Sequence, residues 1–199
     1  MKERSTRHLD LGCGDRPRNP YQCDELFGVD VKPILESSQI NLRRANLVTE
    51  SIPFPENYFD SVSAYDFLEH IPRIFPHTEG TRLPFIELMN EIWRVLMPGG
   101  RFYGYTPVYP HPAAFQDPTH VNILTRNSHV YFTRPALMAR MYGYIGDFSV
   151  IRIVPARGGE FDYEPTARPN LLRRLRLRHR EWRGRITHLV WEFEAHKSP

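Results

Sequence analysis

The sequence predicts an α/β fold in which a mostly parallel sheet of seven strands is covered by helices. Two observations lead to this prediction. Short buried strands alternate with helices or loops along most of the chain, an order that is typical of a parallel sheet. The last two alternating runs have no helix signal between them, so we expect them to pair as an antiparallel hairpin with a long insertion.

Apolar runs bounded by turn residues define the strands. They are expected at residues 7–11, 25–31, 43–47, 58–65, 101–106, 145–154 and 186–194. Helices are expected at residues 84–97 and 134–142, and the first is the clearer because its apolar residues recur at helical spacing. The prolines of residues 16–20 leave room for only a stunted helix between the first two strands.

The length of 199 residues fits a single domain over residues 1–199 with a sizeable core. No apolar run approaches the roughly 20 residues of a membrane span, and the first residues do not read as a signal peptide. The two cysteines, Cys13 and Cys23, have no metal-ligand spacing and predict no disulfide framework. We therefore expect a cytoplasmic protein.

The net charge of +3 conceals an uneven distribution. Residues 168–185 contain eight arginines and one glutamate, whereas the rest of the chain has 18 basic and 22 acidic residues. The body is thus mildly acidic, and the insertion expected at about residues 155–185 is basic.

The leucines of this basic segment are spaced to share a helical face. One hypothesis is that the arginines between Arg173 and Arg185 bind phosphate, on RNA or a nucleotide-sugar, or lie on an anionic lipid surface. The alternative is a solvated helix whose leucines cover the sheet while its arginines offset the acidic body. Trp182 is the one aromatic residue there that could stack on a base.

A glycine turn follows the first predicted strand, in HLDLGCGDRPRNPY at residues 8–21. Ligands of parallel sheets bind beyond the carboxyl ends of the strands, and Gly12 and Gly14 lie at such an end. Glycine accepts positive φ, so we expect bare backbone N–H groups here to approach a ligand. Asp30 ends the second strand, where its carboxylate can accept both hydroxyls of a ribose. The third glycine of a dinucleotide fingerprint is missing, which counts against NAD.

Four segments occur in order on the expected elements: LDLGCG at 9–14, GVD at 28–30, LVTESIPFPENYFDSVSAYDFLEHI at 47–71 and ELMNEIWRVLMPGGRFYGYTP at 87–107. Together they resemble the successive motifs of class I S-adenosylmethionine-dependent methyltransferases, most of all the methyltransferase-type-11 group. The resemblance covers residues 8–132. It implies a Rossmann-like fold, S-adenosyl-L-methionine as cofactor, and methyl transfer to an oxygen or nitrogen of a small or medium-sized acceptor.

The same resemblance implies which residues contact the cofactor. Asp10 would orient the glycine loop, and the methionine portion would be lined by Gly12, Cys13 and Gly14. Cys13 is expected to be a small buried residue and not a nucleophile, because nothing near it in sequence would lower the pKa of its thiol.

The remaining cofactor contacts implied by the resemblance lie on the next strands. Asp30 would bind the ribose hydroxyls and Val31 the adenine. Asn46 and Leu47 stand where the family usually has an acidic residue and its neighbour at the adenine edge. Tyr65 would lie beside the methyl-bearing sulfur. His70 follows it, either as part of the site or as a helix-end residue with a structural hydrogen bond.

Candidate catalytic residues lie after the fifth predicted strand, in TPVYPHPAAFQDPTHVNILT at residues 106–125. A hydroxyl acceptor requires a base within hydrogen-bond reach, and our hypothesis is that His120 is this base and Asp117 orients it. The alternative is that Asp117 caps a turn and His120 ties down the loop. The proline-broken spacing of His111, Asp117 and His120 predicts no metal site.

Three function classes follow. An enzyme that methylates a small-molecule acceptor is the leading interpretation, and RNA is the variant acceptor because of the arginine segment. A non-catalytic cofactor-binding partner subunit is the second class, supported by Asn46 in place of an acidic residue. A nicotinamide dehydrogenase is the third. The sequence predicts no oligomeric state.

Overall fold

A computed structural model describes residues 4–32, 41–78, 80–159, 171–172, 175, 179 and 183–197. The main sheet has seven strands in the order β3-β2-β1-β4-β7-β9-β8, and a separate two-stranded sheet joins β5 to β6. The strands are β1 (Arg7–Leu11), β2 (Glu25–Asp30), β3 (Asn41–Arg44), β4 (Phe59–Tyr65), β5 (Phe75–His77), β6 (Gly80–Arg82), β7 (Leu96–Pro107), β8 (Phe148–Ala156) and β9 (His188–Ala195).

The pairing directions confirm the predicted fold class, a Rossmann-like sheet with an antiparallel C-terminal end. Strands β1, β2, β3, β4 and β7 are parallel, whereas β9 is antiparallel to both β7 and β8. Strand β1 pairs with β2 on one side and with β4 on the other, so the order reverses between β1 and β4. Such a reversal opens a crevice at the carboxyl ends of the two strands.

Helix α1 (Pro84–Val95) is the longest described helix, and it confirms the expected one except for its last two residues. Pro84 suits the first turn, where its missing N–H is not needed. The helix ends because Leu96 turns extended and enters β7. Its buried face packs on the apolar side of the sheet through Phe85, Leu88, Met89, Ile92 and Val95.

The second expected helix and the third expected strand differ from the structure. Residues 134–142 do not form one helix, because Leu137 has φ +44° and only Met138–Tyr142 forms a 3-10 helix. The third strand spans Asn41–Arg44 and not residues 43–47, because the chain turns after Arg44 and buries Ala45 and Leu47 in the core.

The structure describes the whole connection between β1 and β2, residues 12–24, and it contains turns but no helix. The stunted helix expected there is therefore not formed. Two short helices lie near the site, the 3-10 helix Leu68–His70 after β4 and α2 (Ala113–Gln116) after β7. In the part of the chain that the structure describes, no helix has the length and apolar character needed to cross a bilayer.

Most of the basic insertion lies outside the described residues. The exceptions include three leucines expected to cover the sheet, and these are largely exposed: Leu171, Leu172 and Leu175. The described part of the segment therefore does not use its leucines to cover the sheet.

Candidate active site

The glycine turn, residues 12–14, has the backbone conformation that the sequence predicts. Gly12 has φ +64° and Gly14 has φ +56°, both in the left-handed region that glycine adopts without strain. A Cβ on Gly12 would lie 2.3 Å from Cδ2 of Phe67, whereas a Cβ on Gly14 would meet nothing within 4 Å. Gly12 is therefore required for close packing against Phe67, and Gly14 leaves open space beside the turn.

The backbone amides of the glycine turn are not bare, contrary to the expectation from sequence. The N–H groups of Gly12 and Cys13 both donate to the carbonyl of Val29, at 2.8 and 3.4 Å. The N–H of Gly14 donates to Oδ2 of Asp30 at 2.8 Å. The turn is thus anchored to the end of β2, because buried backbone donors are normally paired within the protein.

Asp10 holds the loop that follows the glycines. Its Oδ2 accepts the Arg18 N–H at 2.8 Å, and its Oδ1 accepts the Ser63 hydroxyl at 2.6 Å. Burial raises the pKa of the Asp10 carboxyl to about 6, against the lowering effect of these hydrogen bonds. The carboxylate thus links β1, β4 and the loop in one buried network.

A polar cleft of about 510 Å³ opens where the strand order reverses. We call it the cofactor cleft because four of the residues expected from sequence to contact the cofactor line it. Its lining consists of Asp10, Gly12, Cys13, Asp15, Arg16, Arg18, Tyr65 and Asp66. Sequence reasoning did not single out Arg16, Arg18 or Asp66. The two arginines could have been found from the Arg-Pro-Arg run at residues 16–18, which begins two residues after Gly14 and puts two guanidinium groups beside the turn.

Two expected cofactor residues in this cleft have well-defined surroundings. Burial raises the pKa of the Cys13 thiol to about 12, so this thiol is not a nucleophile at neutral pH. Tyr65 is buried, and the Arg18 guanidinium lies 4.4 Å from its ring centroid. Its ring also lies 5.3 Å from that of Tyr103.

The four residues expected at the ribose and adenine lie at the ends of β2 and β3. Asp30 accepts the Lys32 N–H at 2.9 Å in addition to the Gly14 amide, and Val31 is 56% exposed. Asn46 is exposed and holds a turn, since its Oδ1 accepts the Val48 N–H at 3.1 Å. The side chain of Leu47 belongs to the core.

A second group of polar residues follows β4, and we call Glu69, His70 and His120 the Glu-His cluster. Glu69 is only 2% exposed, and its Oε2 accepts the Thr106 hydroxyl at 3.1 Å. Its Oε1 lies 4.0 Å from Nε2 of His120, and the rings of His70 and His120 are 4.9 Å apart. Burial raises the pKa of the Glu69 carboxyl to about 8.

Asp117 acts on Thr119 and not directly on the His120 ring. Its Oδ1 accepts both the N–H and the hydroxyl of Thr119, at 2.8 and 2.6 Å, and these bonds lower the pKa of Asp117. Thr119 Oγ1 in turn lies 2.9 Å from Nδ1 of His70. The geometry is that of the turn-capping alternative, and the carboxylate next to His120 is that of Glu69, which sequence reasoning did not assign a role.

His111 stays outside this cluster. Its Nδ1 accepts the Ala113 N–H at 3.1 Å, which closes its own turn at the start of α2. Of the three candidates in the loop after β7, the structure therefore brings only His120 against the end of β4.

The family comparison supports the interpretation from sequence. The profile of the methyltransferase-type-11 family, described as "Methyltransferase domain", matches residues 9–104, which include the glycine turn, Asp30, Tyr65, Glu69 and His70. Residues 9–104 therefore have the character of a class I S-adenosylmethionine-dependent methyltransferase domain. No curated protein sequence matches this methyltransferase.

Solved structures of other proteins share its fold. A chain of the complex between the Haloferax volcanii Trm112 methyltransferase activator and a methyltransferase is 15% identical with a TM-score of 0.59, over 100% of this chain and 85% of the other. A protein described as a sarcosine dimethylglycine methyltransferase from Galdieria sulphuraria is 15% identical with a TM-score of 0.57, over 99% and 80%. An S-adenosylmethionine-dependent methyltransferase from Archaeoglobus fulgidus is 15% identical with a TM-score of 0.50, over 96% and 86%. At such identities the likeness concerns the fold alone.

The methyltransferase also has an apolar groove of about 690 Å³ beside the start of α1, with Phe85, Leu124 and Phe132 in its lining. Arg73 lines the same groove, and its Nε donates to Oδ1 of Asn122 at 2.7 Å. Asn122 donates to the Leu68 carbonyl at 3.1 Å, so the groove is tied to the helix that carries Glu69. Apolar grooves with few polar groups are the common form of small-molecule sites.

Proposed function

We propose that this methyltransferase transfers a methyl group to an oxygen or nitrogen atom of a small or medium-sized molecule that has an apolar body. The observation that carries the proposal is the position of Glu69, which belongs to the Glu-His cluster and lies three residues beyond Asp66, a residue in the lining of the cofactor cleft. The apolar groove is tied to the same helix. The site thus offers a polar cleft, a cluster of proton-accepting side chains and an apolar surface within one edge of the sheet.

The charges of the cofactor cleft fit S-adenosylmethionine. Arg16 and Arg18 supply cations for the methionine carboxylate, and Asp15 and Asp66 supply anions for its ammonium group. Gly14 leaves the space that a Cβ would narrow. When bound, the cofactor supplies a methyl group on a positively charged sulfur, which is the electrophile.

The outer contacts are assigned to the ends of β2 and β3. Each oxygen of Asp30 accepts one backbone N–H, so each keeps capacity for a ribose hydroxyl. Val31 is exposed beside it and is assigned to the adenine. Asn46 and Leu47 are assigned to the adenine edge through the family position they occupy.

His120 is suited to hold the acceptor's proton. Its Nδ1 lies 3.3 Å from the Ala114 carbonyl, so this nitrogen carries the hydrogen of the neutral ring and Nε2 keeps the lone pair. The 4.0 Å between Nε2 and the Glu69 carboxylate is too long for a hydrogen bond and leaves room for a group between them. We assign the acceptor's hydroxyl or amine to that position, with His120 as the base.

Calorimetric titration with S-adenosylmethionine, followed by detection of S-adenosylhomocysteine over a panel of hydroxyl and amine acceptors, tests this function. We expect tight binding of the cofactor, no binding of NAD, and turnover with acceptors that have an apolar body. Cofactor binding without turnover across the panel would favour the partner-subunit interpretation. In that context the activator-bound neighbour from Haloferax volcanii makes a partner protein worth including in the assay.

RNA is the second candidate acceptor, and the exposure of Leu171, Leu172 and Leu175 supports it because these side chains do not cover the sheet. Binding to RNA through the arginines of residues 173–180 would weaken steeply as salt rises, since each phosphate contact releases counterions. A variant with glutamine at those arginines should lose RNA binding and keep cofactor binding. Indifference of acceptor binding to salt would favour the small molecule.

A further inference from the structure

We propose that Glu69, His70 and His120 form a binding site for one divalent first-row transition metal ion, such as Zn²⁺, Mn²⁺ or Co²⁺. The inference deepens the proposed function and rests on it for the role of the ion, which would hold the acceptor's oxygen or nitrogen and lower the pKa of that group. With the ion bound, Nε2 of His120 would be a metal ligand, so the ion would replace His120 as the group that activates the acceptor. The site itself is derived from the side chains alone. The loop spacing of His111, Asp117 and His120 did not indicate it, because two of the three ligands come from the end of β4.

The distances suit a shared ion. One ligand atom from each of the three side chains lies within 4.8 Å of the other two, and Glu69 Oε1 is 4.0 Å from His120 Nε2. Two ligands that are each about 2.1 Å from an ion are themselves separated by roughly 3 to 4 Å. Small rotations of the side chains therefore complete the site without movement of the backbone.

Glu69 supplies an independent observation. Its Oε1 is buried and has no hydrogen-bond partner among the described residues, while Oε2 is held by Thr106. Its backbone carbonyl accepts the N–H groups of both Val121 and Asn122 at 2.9 Å, which fixes the residue against the loop that carries His120. A buried carboxyl oxygen without a hydrogen-bond partner is costly whether or not the group is charged, so its retention beside two imidazoles indicates a ligand for it.

The outer hydrogen bonds leave the correct ring nitrogens for a metal. Thr119 donates its hydroxyl hydrogen to Asp117, so its oxygen accepts from Nδ1–H of His70, and Nε2 of His70 keeps the lone pair. The Ala114 carbonyl likewise accepts from Nδ1–H of His120, so Nε2 of His120 also keeps its lone pair. Metal-bound histidines usually donate their other N–H to such a carboxylate-linked group or carbonyl. Asp117 and Thr119 are therefore positioning residues for His70.

Two histidines and one carboxylate form a common donor set for zinc, manganese and iron, and three ligands leave positions open. An open position beside the cofactor cleft suits a hydroxyl, phenol or amine of the acceptor. The Glu-His cluster would then select acceptors that can coordinate a metal, and would hold their attacking atom at the end of β4.

The test uses the full chain after removal of metal with a chelator, titrated with Co²⁺ by calorimetry and by visible absorption. We expect one ion per chain, and a loss of affinity of at least about 10-fold in Glu69→Gln and in His120→Ala. Thr119→Val should weaken binding less. His111→Ala is the matched control, since His111 lies in the same loop outside the cluster, and its affinity should equal that of the wild type.

Absence of Co²⁺ binding by the wild type at millimolar concentration would overturn the site, as would equal binding by Glu69→Gln and His120→Ala. Thermal unfolding of each variant shows whether a loss reflects misfolding, and the near-isosteric Glu69→Gln limits that risk. S-adenosylmethionine binding by the metal-free wild type is measured separately. Its loss would contradict the proposed function, whereas intact cofactor binding without Co²⁺ binding would contradict the metal site alone.

Discussion

The cofactor cleft and the Glu-His cluster lie at the same edge of the sheet but are held in place by different contacts. The glycine turn of the cleft is fixed by backbone N–H groups that bond to the end of the neighbouring strand, at Val29 and Asp30. The cluster is fixed by side chains of residues far apart in sequence, such as Thr106 on Glu69 and Thr119 on His70. The cleft is thus a property of a local motif, whereas the cluster depends on the loop after β7 folding back onto β4.

This comparison predicts that substitutions in the cluster reduce turnover and spare the cofactor. His120→Ala should lower kcat by roughly 100- to 10,000-fold, because the variant lacks the proposed base or, in the metal-bound form, one of the proposed ligands of the ion. S-adenosylmethionine affinity, measured by calorimetry, should stay within error of the wild type. Asp117→Asn should lower kcat less than His120→Ala, because Asp117 acts through Thr119. Equal losses in the two variants would support the direct orienting role that the sequence suggested.

In the cleft, Gly12→Ala is expected to destabilise the fold. Its Cβ would lie 2.3 Å from Phe67 Cδ2 at φ +64°. Overpacking and left-handed strain together should lower the free energy of unfolding by about 2–4 kcal/mol and weaken cofactor binding. Gly14→Ala is the matched control, because it carries similar φ strain without the clash, and about 1 kcal/mol is expected from it. Similar denaturation midpoints for the two variants would show that the contact with Phe67 does not matter.

Asp30→Ala tests the link between the glycine turn and the ribose. Removal of the carboxylate frees the Gly14 amide and removes the acceptor proposed for the ribose hydroxyls, so S-adenosylmethionine affinity should fall by roughly 10- to 100-fold. Asp30→Asn keeps the shape of the side chain and one acceptor oxygen, so its S-adenosylmethionine affinity should lie between those of the wild type and Asp30→Ala. Unchanged affinity in Asp30→Ala would refute the assignment of this residue.

The same difference explains how much of the site the sequence could predict. The glycine turn, Asp10 and Asp30 were predictable because strand ends and positive φ leave a local pattern at fixed spacing. The hydrogen bonds of the backbone amides in the turn were not predictable, since their pairing to Val29 depends on the register of β1 against β2. Nothing near Glu69 in sequence indicates that Thr106 and the backbone of Asn122 enclose it, so its role became visible only in three dimensions.

For the fold as well, features with a local sequence pattern were predictable and the others were not. The alternation of buried strands predicted the sheet and its antiparallel end, because that signal is carried by each segment alone. The helix expected at residues 134–142 failed at Leu137, whose left-handed conformation leaves no mark in the apolar periodicity. The cofactor cleft was predictable because it follows a local sequence pattern, whereas the Glu-His cluster was not, because contacts between distant residues hold it together.

The smallest expected effect concerns the network beneath the cleft and is a dependence of stability on pH. His8 is fully buried between the hydroxyls of Ser61 and Ser63, at 2.7 and 2.8 Å, and burial lowers its pKa to about 3. Ser63 donates its hydroxyl hydrogen to Asp10, so the Ser63 oxygen accepts a hydrogen bond from Nε2–H of His8. This pattern fits the neutral form of the His8 ring. The unfolded chain binds a proton at this histidine below about pH 6.5, whereas the folded chain does not. Acidification therefore favours unfolding.

A pair of denaturation series isolates this contribution. Between pH 7 and pH 6 the wild type should lose about 0.7 kcal/mol of unfolding free energy through His8, and up to about 1.4 kcal/mol for each further unit of acidification. Asp10 opposes this trend, because its raised pKa makes its own contribution decrease as the pH rises from about 4 to about 6. Asp10 is present in both the wild type and His8→Gln, so its contribution cancels in their difference. The difference in unfolding free energy between the two should therefore narrow on acidification by the contribution of His8 alone. A constant difference across that range would mean that His8 is protonated in the folded protein and that the polar network under the cofactor cleft carries a charge.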